Sequence, residues 1–112
     1  MSKLSSHVLD TALGCPAAGL GMRLDRLDGG SWRPIGMAVT DADGRVRDLL
    51  AGATLEARIY RITFETGPYF ASTGRLSFYP RVEVTFDVTA PSEHHHVPLL
   101  LSPFGYSTYR GS

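Results

Sequence analysis

Four histidines are the residues of this sequence best suited to proton or metal chemistry. His94, His95 and His96 are consecutive, and the fourth is His7. In a strand, His94 and His96 share one face and His95 takes the other. Such a pair can chelate zinc with His7 as a third ligand, or neutral imidazoles can transfer protons near pH 7 without a metal. The spacing also fits a solvated polar strand end, so all three interpretations stay open.

Arg45 is a further candidate, because it follows the turn-forming segment Asp41-Ala42-Asp43-Gly44. This segment begins like a calcium loop, but it lacks the later glycine and the closing glutamate of an EF-hand, which argues against calcium. We interpret it as a hairpin turn that presents Arg45. The planar guanidinium can bind an anionic or carbonyl-rich ligand through its fork of donors. A plain surface arginine fits the same pattern.

The C-terminal segment, residues 106–112, reads YSTYRGS. Chain ends usually fray, but an end this rich in Tyr and Thr predicts a strand tied into the fold. Such a strand would hold the Ser112 hydroxyl and the terminal carboxylate in place. The sequence contains no Gly-x-Ser-x-Gly elbow, so a serine-hydrolase triad has little support.

The elements that must position these residues are mostly strands. Apolar and polar residues alternate from Val82 to Thr89, which is typical of a half-buried antiparallel strand. The segment Asp28-Gly29-Gly30-Ser31 predicts a hairpin between two further strands. The other predicted strands cover residues 6–10, 22–27, 32–40, 45–48, 57–64, 94–101 and 105–109.

Helix signals are confined to one place. Pro68–Thr73 predicts one short helix, with Pro68 in the first turn and Gly74 just past the end. About eight short strands separated by Gly, Pro and Asp favour an all-β sandwich or barrel.

The composition predicts one soluble domain over residues 1–112, without nucleic-acid or membrane partners. Eleven basic residues balance eleven acidic ones, so no clustered basic face is indicated for nucleic acid or anionic lipid. The segment around Val97–Leu101 is too short to span a bilayer, and Met1–Asp10 has no apolar stretch of signal-peptide length. We therefore expect a cytoplasmic protein. A single cysteine, Cys15, allows no disulfide within the chain and fits a reducing compartment.

Four motifs lie in order along essentially the whole chain: SHVLD from Ser6, TDADGR from Thr40, HVPLLLSP from His96 and YRGS from Tyr109. In their order and compatible spacing they resemble the hydroxyisourate hydrolase members of the transthyretin-like family. The last motif is the most specific of them. Between these motifs, FYPRV over residues 78–82 resembles the segment that leads into a strand in transthyretin.

The resemblance implies a fold, an assembly and a reaction. The fold is a transthyretin-like β-sandwich of two four-stranded sheets with one short helix, and the assembly is a homotetramer with active sites at the dimer–dimer interface. The reaction is the hydrolysis of 5-hydroxyisourate, the unstable product of urate oxidation, to 2-oxo-4-hydroxy-4-carboxy-5-ureidoimidazoline. No metal and no organic cofactor is implied. Because a fold does not assign a function, the site residues must decide the matter.

The same resemblance assigns roles to particular residues. His7 and His96 would activate and orient the attacking water. Arg45 would bind the carbonyl oxygens of the substrate and stabilise the developing negative charge. Ser112 would relay a proton or hold the water, and Tyr109 would contact the substrate ring. The predicted catalytic residues are therefore His7, Arg45, His96 and Ser112, and the predicted substrate-binding residues are His7, Arg45 and Tyr109.

One departure and two alternatives accompany this interpretation. His95 stands where family members often have tyrosine, and we expect it to face away from His94 and His96. One alternative is a transthyretin-like carrier of a small ligand, although His7, Arg45 and His96 would line its channel with polar groups. The other is a zinc-dependent hydrolase using His7, His94 and His96, although the family pattern contains no metal.

Overall fold

Two β-sheets stacked face to face build the fold in the computed structural model, which describes residues 3–112. Met1 and Ser2 belong to the domain predicted over residues 1–112 but lie outside the described residues. Over the described range the chain forms nine strands and one helix. They are β1 (Leu4–Asp10), β2 (Cys15–Pro16), β3 (Gly21–Asp28), β4 (Ser31–Val39), β5 (Arg45–Val46), β6 (Ile59–Phe64), α1 (Thr66–Ser72), β7 (Val82–Asp87), β8 (His95–Ser102) and β9 (Gly105–Thr108).

The first sheet has the order β2-β1-β8-β9, and β5 also pairs with β1. β8 takes one edge of β1, while β2 and β5 pair with successive stretches of the other edge. The two short strands thus share one position, so five strands fill four places in the sheet. The predicted sandwich with one short helix is confirmed. The strand prediction missed Cys15–Pro16, because two residues are too few to show an alternation.

The pairing between β1 and β8 is parallel, with Leu4 opposite His95 and Asp10 opposite Leu101. The other strand pairs, within the part of the chain that the structure describes, are antiparallel. The parallel pair places the beginning of the chain beside a segment about ninety residues later. It therefore brings His7 and His96 onto the same sheet.

The second sheet has the order β4-β3-β6-β7. Gly29 and Gly30 form the turn between β3 and β4 with φ angles of 57° and 85°, as expected for a tight hairpin turn that glycine favours. The predicted hairpin is confirmed. β7 is antiparallel to β6, and its burial alternates as the sequence predicts.

The core lies between the inward faces of the two sheets. β1 alternates buried and half-buried positions along its whole length, so Leu4 and Val8 point inward while Ser5 and His7 point outward. Burying one such side chain stabilises the fold by roughly 1.5–3 kcal/mol. A shift of the strand register by one residue would expose these side chains and is therefore disfavoured. The fully buried side chains include Leu4, Val8, Leu24, Ile62, Phe64, Leu99 and Leu101.

The helix α1 begins two residues before the predicted start and ends one residue before the predicted end. Its Tyr69 hydroxyl donates a 2.8 Å hydrogen bond to the fully buried Asp10 carboxylate at the end of β1. Arg75 donates to the same carboxylate at 2.6 Å. This network anchors the helix to the first sheet. Among residues 3–112, no helix is both long and apolar enough to cross a membrane.

Candidate active site

The outward face of the first sheet gathers three of the residues that the sequence singled out. Across the β1–β5 pair, His7 lies opposite Arg45. Across the β1–β8 pair, Ser5 lies opposite His96. Because opposite residues of a ladder point to the same face, His7, Arg45, Ser5 and His96 all project away from the core. Three chain segments far apart in sequence thus contribute to one surface.

A cleft of about 430 Å³ opens on this face. Arg45 and His96 line it from β5 and β8, and His7 occupies the next outward position along β1 after Ser5. The full lining consists of Ser5, Ser6, Arg45, Val46, Arg47, Asp48, His94 and His96. The lining residues of the cleft therefore include two histidines, two arginines, two serines and an aspartate, which suits a flat polar ligand.

The three consecutive histidines separate as the alternation predicts. The rings of His94 and His96 stack with centroids 6.4 Å apart. His95 is buried on the opposite side, and its Nδ1 lies 2.9 Å from the Glu93 carbonyl oxygen. Because a carbonyl oxygen can only accept, His95 Nδ1 donates this bond. His95 is therefore a satisfied interior residue and does not reach the cleft.

His7 is oriented by the turn that precedes Arg45. Its Nε2 lies 2.9 Å from the carbonyl oxygen of Asp43, so Nε2 carries a proton and donates it to that oxygen. In the neutral imidazole the lone pair is then on Nδ1. His7 thus has one nitrogen committed to the backbone and one able to accept a proton or a hydrogen bond.

Asp41 shapes that turn. Its Oδ1 accepts hydrogen bonds from the backbone N–H groups of Asp43 and Arg45, both at 2.9 Å. Hydrogen bonding from the Arg45 backbone is the largest cause that holds the pKa of Asp41 below its usual value. Gly44 has a φ of 74°, and a Cβ there would collide with the Val8 carbonyl oxygen. The segment is a tight turn that sets the position of Arg45.

The electrostatic surroundings of His96 favour its neutral form. Burial is the main cause that lowers the pKa of His96 below 6.5, and the positive charges of His7, His94 and Arg45 lower it further. A neutral imidazole at pH 7 has a lone pair with which it can accept a proton. His96 can therefore act as a general base.

The C-terminal segment is tied to the sheet beside His96, as the sequence predicts. The Gly111 N–H donates a 2.8 Å bond to the His96 carbonyl oxygen. The Arg110 guanidinium lies 3.1 Å from a Glu93 carboxylate oxygen. A Cβ on Gly111 would come within 2.5 Å of His96 Cδ2, so the glycine backbone passes directly over the imidazole ring.

Tyr109 and Ser112 do not line the cleft that contains Arg45. Tyr109 is 57% exposed and lines a second cavity, of about 270 Å³, together with Val84, Phe86 and His96. Ser112 is exposed, and within residues 3–112 the linings of the two cavities do not include it. His96 is the residue that both cavities share.

Two residues of the site escaped the sequence analysis in the roles that the structure indicates. Ser5 Oγ lies 3.0 Å from His94 Nε2 and 2.8 Å from His96 Nδ1. The sequence predicted His94 as a zinc ligand, a proton-transfer residue or part of a solvated strand end, and not as a hydrogen-bond partner of Ser5. The signal for Ser5 was its position two residues before His7, which places both on one face of a strand. Within residues 3–112, no three side chains of His, Cys, Asp and Glu are grouped to hold a metal ion.

Comparisons with known proteins agree on one family. The model of the HIUase/Transthyretin family matches residues 4–111. The 5-hydroxyisourate hydrolase of Mus musculus is 46% identical over 113 residues, which cover 99% of this chain and 96% of that protein.

Two solved structures share the fold. The 5-hydroxyisourate hydrolase of Klebsiella pneumoniae superposes with a TM-score of 0.86 at 40% identity, covering 99% of this chain and 100% of that one. Sea bream transthyretin in complex with thyroxine superposes with a TM-score of 0.90 at 33% identity, covering 97% of this chain and 94% of that one. The backbone is thus similar to both kinds of protein. By its sequence and its fold, the chain belongs to the HIUase/Transthyretin family.

Proposed function

We propose that this chain hydrolyses 5-hydroxyisourate to 2-oxo-4-hydroxy-4-carboxy-5-ureidoimidazoline, a ring-opening step of urate breakdown. The observation that carries the proposal is the outward face where His7, Arg45 and His96 come together. Similarity over nearly the full length to a 5-hydroxyisourate hydrolase supports the same activity. Hydrolysis of a cyclic amide needs a base for water and a cation for the oxyanion, and this face supplies both.

His96 supplies the base. Its neutral form is favoured by burial and by the neighbouring positive groups, so it can take a proton from water as the water oxygen attacks the ring carbonyl. A positioned base typically contributes about 10²–10⁴-fold to the rate. His7 assists from the next outward position, where the nitrogen not bound to the Asp43 carbonyl can orient the water or the substrate.

Arg45 supplies the positive charge. Its guanidinium lines the cleft together with His96, and its backbone is held by the Asp41 turn. A fork of N–H donors can bind the carbonyl oxygens of a flat heterocycle and then stabilise the tetrahedral oxyanion. Removing one such donor costs on the order of 10²–10³ in kcat in well-studied hydrolases. No metal ion is part of this mechanism.

Ser112 and Tyr109 complete the site in our proposal, the former by holding water or relaying a proton and the latter by contacting the ring. Within one chain neither residue lines the cleft that contains Arg45, so their roles fit a site assembled between subunits. We propose a homotetramer with active sites at the dimer–dimer interface. Edge strands support assembly: β7 and β9 each end a sheet, and such edges can pair with another chain.

A carrier function is the competing proposal, since the fold also matches a transthyretin solved with thyroxine. The polar groups on the outward face argue against an apolar ligand, because burying an imidazole or a guanidinium without partners is costly. The cytoplasmic location remains a prediction of the sequence.

An ultraviolet assay tests the function directly. The purified protein is mixed with 5-hydroxyisourate generated freshly from urate, with and without EDTA, and the decay of the intermediate is compared with its spontaneous decay. We expect a large acceleration that EDTA does not change. EDTA-sensitive acceleration would support the zinc alternative, and folded protein without acceleration would support the carrier.

The variant Arg45→Lys tests the proposed role of Arg45. Its control is Arg33→Lys, at an exposed position of β4. Lysine keeps the charge but loses the planar fork. We expect kcat to fall about 10²-fold for Arg45→Lys and to stay at the wild-type value for Arg33→Lys. Equal activity of the two variants would remove Arg45 from the mechanism.

A further inference from the structure

The Ser5 hydroxyl bridges two imidazoles on the outward face. Its Oγ lies 2.8 Å from His96 Nδ1 and 3.0 Å from His94 Nε2. The bridge joins β1 to β8 and to the residue that immediately precedes β8. Both distances are those of hydrogen bonds.

The chemistry of a hydroxyl restricts how this bridge is made. A serine hydroxyl has one proton to donate and two lone pairs with which to accept. When both imidazoles are neutral, Ser5 can donate to only one of them, so the other must donate its own N–H to Ser5 Oγ. At least one of His94 Nε2 and His96 Nδ1 must therefore carry a proton, and a relay through Ser5 requires that one carries it while the other does not.

The two imidazoles differ in their surroundings. His96 is half-buried, whereas His94 is exposed to solvent. Burial disfavours the charged form of His96, and so do the positive groups around it. Burial aside, the pKa of His96 is lowered by His7 on β1, Arg45 on β5 and His94 before β8. The other charged or titratable residues that line the two cavities with His96 are Arg47, Asp48, Asp87, His95, Tyr109 and Arg110. Water solvates a positive charge better on His94 than on His96.

We propose that Ser5 is a positioning residue that relays a proton between His96 and His94 during the hydrolysis. The inference rests on the proposed function and assigns His96 as the base that works through Nε2. Before the reaction, His96 Nδ1–H donates to Ser5 and the Ser5 hydroxyl donates to His94 Nε2. This arrangement leaves the lone pair of His96 Nε2 open to water.

The proton movements balance in both halves of the reaction. As the water oxygen bonds to the ring carbonyl carbon, His96 Nε2 takes one water proton. His96 Nδ1 then gives its proton to Ser5, and Ser5 gives its own to His94 Nε2, so the positive charge rests on exposed His94. When the bond between that carbon and the ring nitrogen breaks, the relay runs backwards and His96 Nε2–H protonates the leaving nitrogen.

Nitrogen-15 NMR of the imidazoles in the wild-type protein, without substrate and at a pH where both are neutral, tests the bridge independently of turnover. We expect His96 Nδ1 to be protonated and His94 Nε2 to be unprotonated. Protonation of neither nitrogen would overturn the bridge, and protonation of both would make Ser5 a double acceptor and overturn the relay. Protonation of His94 Nε2 alone would overturn the assignment of His96 as the base.

Kinetics of Ser5→Ala and Ser5→Thr test the relay itself, with Ser31→Ala in the exposed hairpin of the other sheet as a control. We expect Ser5→Ala to lose about tenfold in kcat with an almost unchanged KM, because one neutral hydrogen bond is worth up to about a factor of ten. Ser5→Thr keeps a hydroxyl and should retain most of the rate.

The outcomes separate the two proposals. An inactive wild-type protein would overturn the hydrolase function while the NMR result still tests the bridge. An active wild-type protein with Ser5→Ala as fast as Ser31→Ala would overturn the relay and leave the function standing. Equal losses in Ser5→Ala and Ser5→Thr would also overturn it, because the hydroxyl would then not be the relevant group.

Discussion

Substitution of Gly111 by alanine would test whether the C-terminal segment positions His96. The backbone at Gly111 crosses the imidazole ring and is held by its own N–H bond to the His96 carbonyl oxygen. An alanine Cβ would lie 2.5 Å from His96 Cδ2, 3.2 Å from Cγ and 3.3 Å from Cβ. Three ring-side contacts would be too short at once, so either the ring or the segment must move.

The size of the movement follows from these distances. Ordinary carbon–carbon contact begins near 3.4 Å, so the ring and the segment must separate by roughly an ångström. A misplacement of about 1 Å at a reacting group can cost about 10²-fold in rate. Loss of the Gly111 hydrogen bond costs only about 0.5–1.5 kcal/mol. We therefore expect kcat to fall 10- to 100-fold while the fold is kept and Tm falls by only about 2–9 °C.

The assay compares Gly111→Ala with Gly105→Ala in the same sheet. A Cβ on Gly105 would meet only Ser102 Oγ, at 3.7 Å, so this control should be tolerated. The decay of 5-hydroxyisourate gives kcat and KM, and thermal unfolding gives Tm. Wild-type kcat in a folded Gly111→Ala protein would refute the argument that close backbone packing sets the position of His96.

Three further predictions follow from the same contacts. Deleting Arg110–Ser112 should remove most of the activity and leave the folded assembly intact, and size-exclusion chromatography beside the ultraviolet assay checks both. Because the pKa of His96 is lowered by burial and nearby positive charge, its neutral form persists below pH 6.5. We therefore expect kcat/KM to stay high just below pH 6.5 and to fall only at a more acidic pH. A pH–rate profile in which kcat/KM already falls above pH 6.5 as the pH is lowered would contradict this. Asp10→Ala should destabilise the fold by about 3–5 kcal/mol in urea unfolding, since it leaves Arg75 and the Tyr69 hydroxyl without their shared partner. Although burial alone raises the pKa of Asp10, the bonds from Arg75 and Tyr69 bring it below 3.8, so this stability should be present above pH 3.8 and lost as the pH falls through the lowered pKa.

Local patterns predicted most elements of the fold. The alternation from Val82 to Thr89, the glycine pair of the β3–β4 hairpin and the Pro68 and Gly74 signals of the helix each depend on neighbouring residues. Backbone conformation at such sites is governed by short-range sterics and hydrogen bonds. The two-residue strand Cys15–Pro16 has no such pattern, because it exists only through its pairing with β1.

Only some residues of the candidate site could be predicted from the sequence. Alternation alone places His94 and His96 on one face and His95 on the other. The resemblance of four motifs to a known family implied that His7 and Arg45 belong to the same site as His96. Ser5 remained unnoticed, because a serine in a strand carries no signal until the partners of its hydroxyl are known. The same holds for Gly111, whose importance comes from the ring beneath it.

The sequence by itself determined which side chains face outward in the Val82–Thr89 strand and in the histidine run, and it placed the turns at Asp28–Ser31 and Asp41–Gly44, since those features depend on residues a few positions apart. The tertiary structure alone decided that β1 and β8 lie side by side and parallel. That pairing puts Ser5 within hydrogen-bonding distance of a histidine 89 residues away, and β5 brings Arg45 to the other edge of β1. The physical reason is that such contacts depend on the path of the whole chain around a shared core, whose burial stabilises the pairing more than any local preference does.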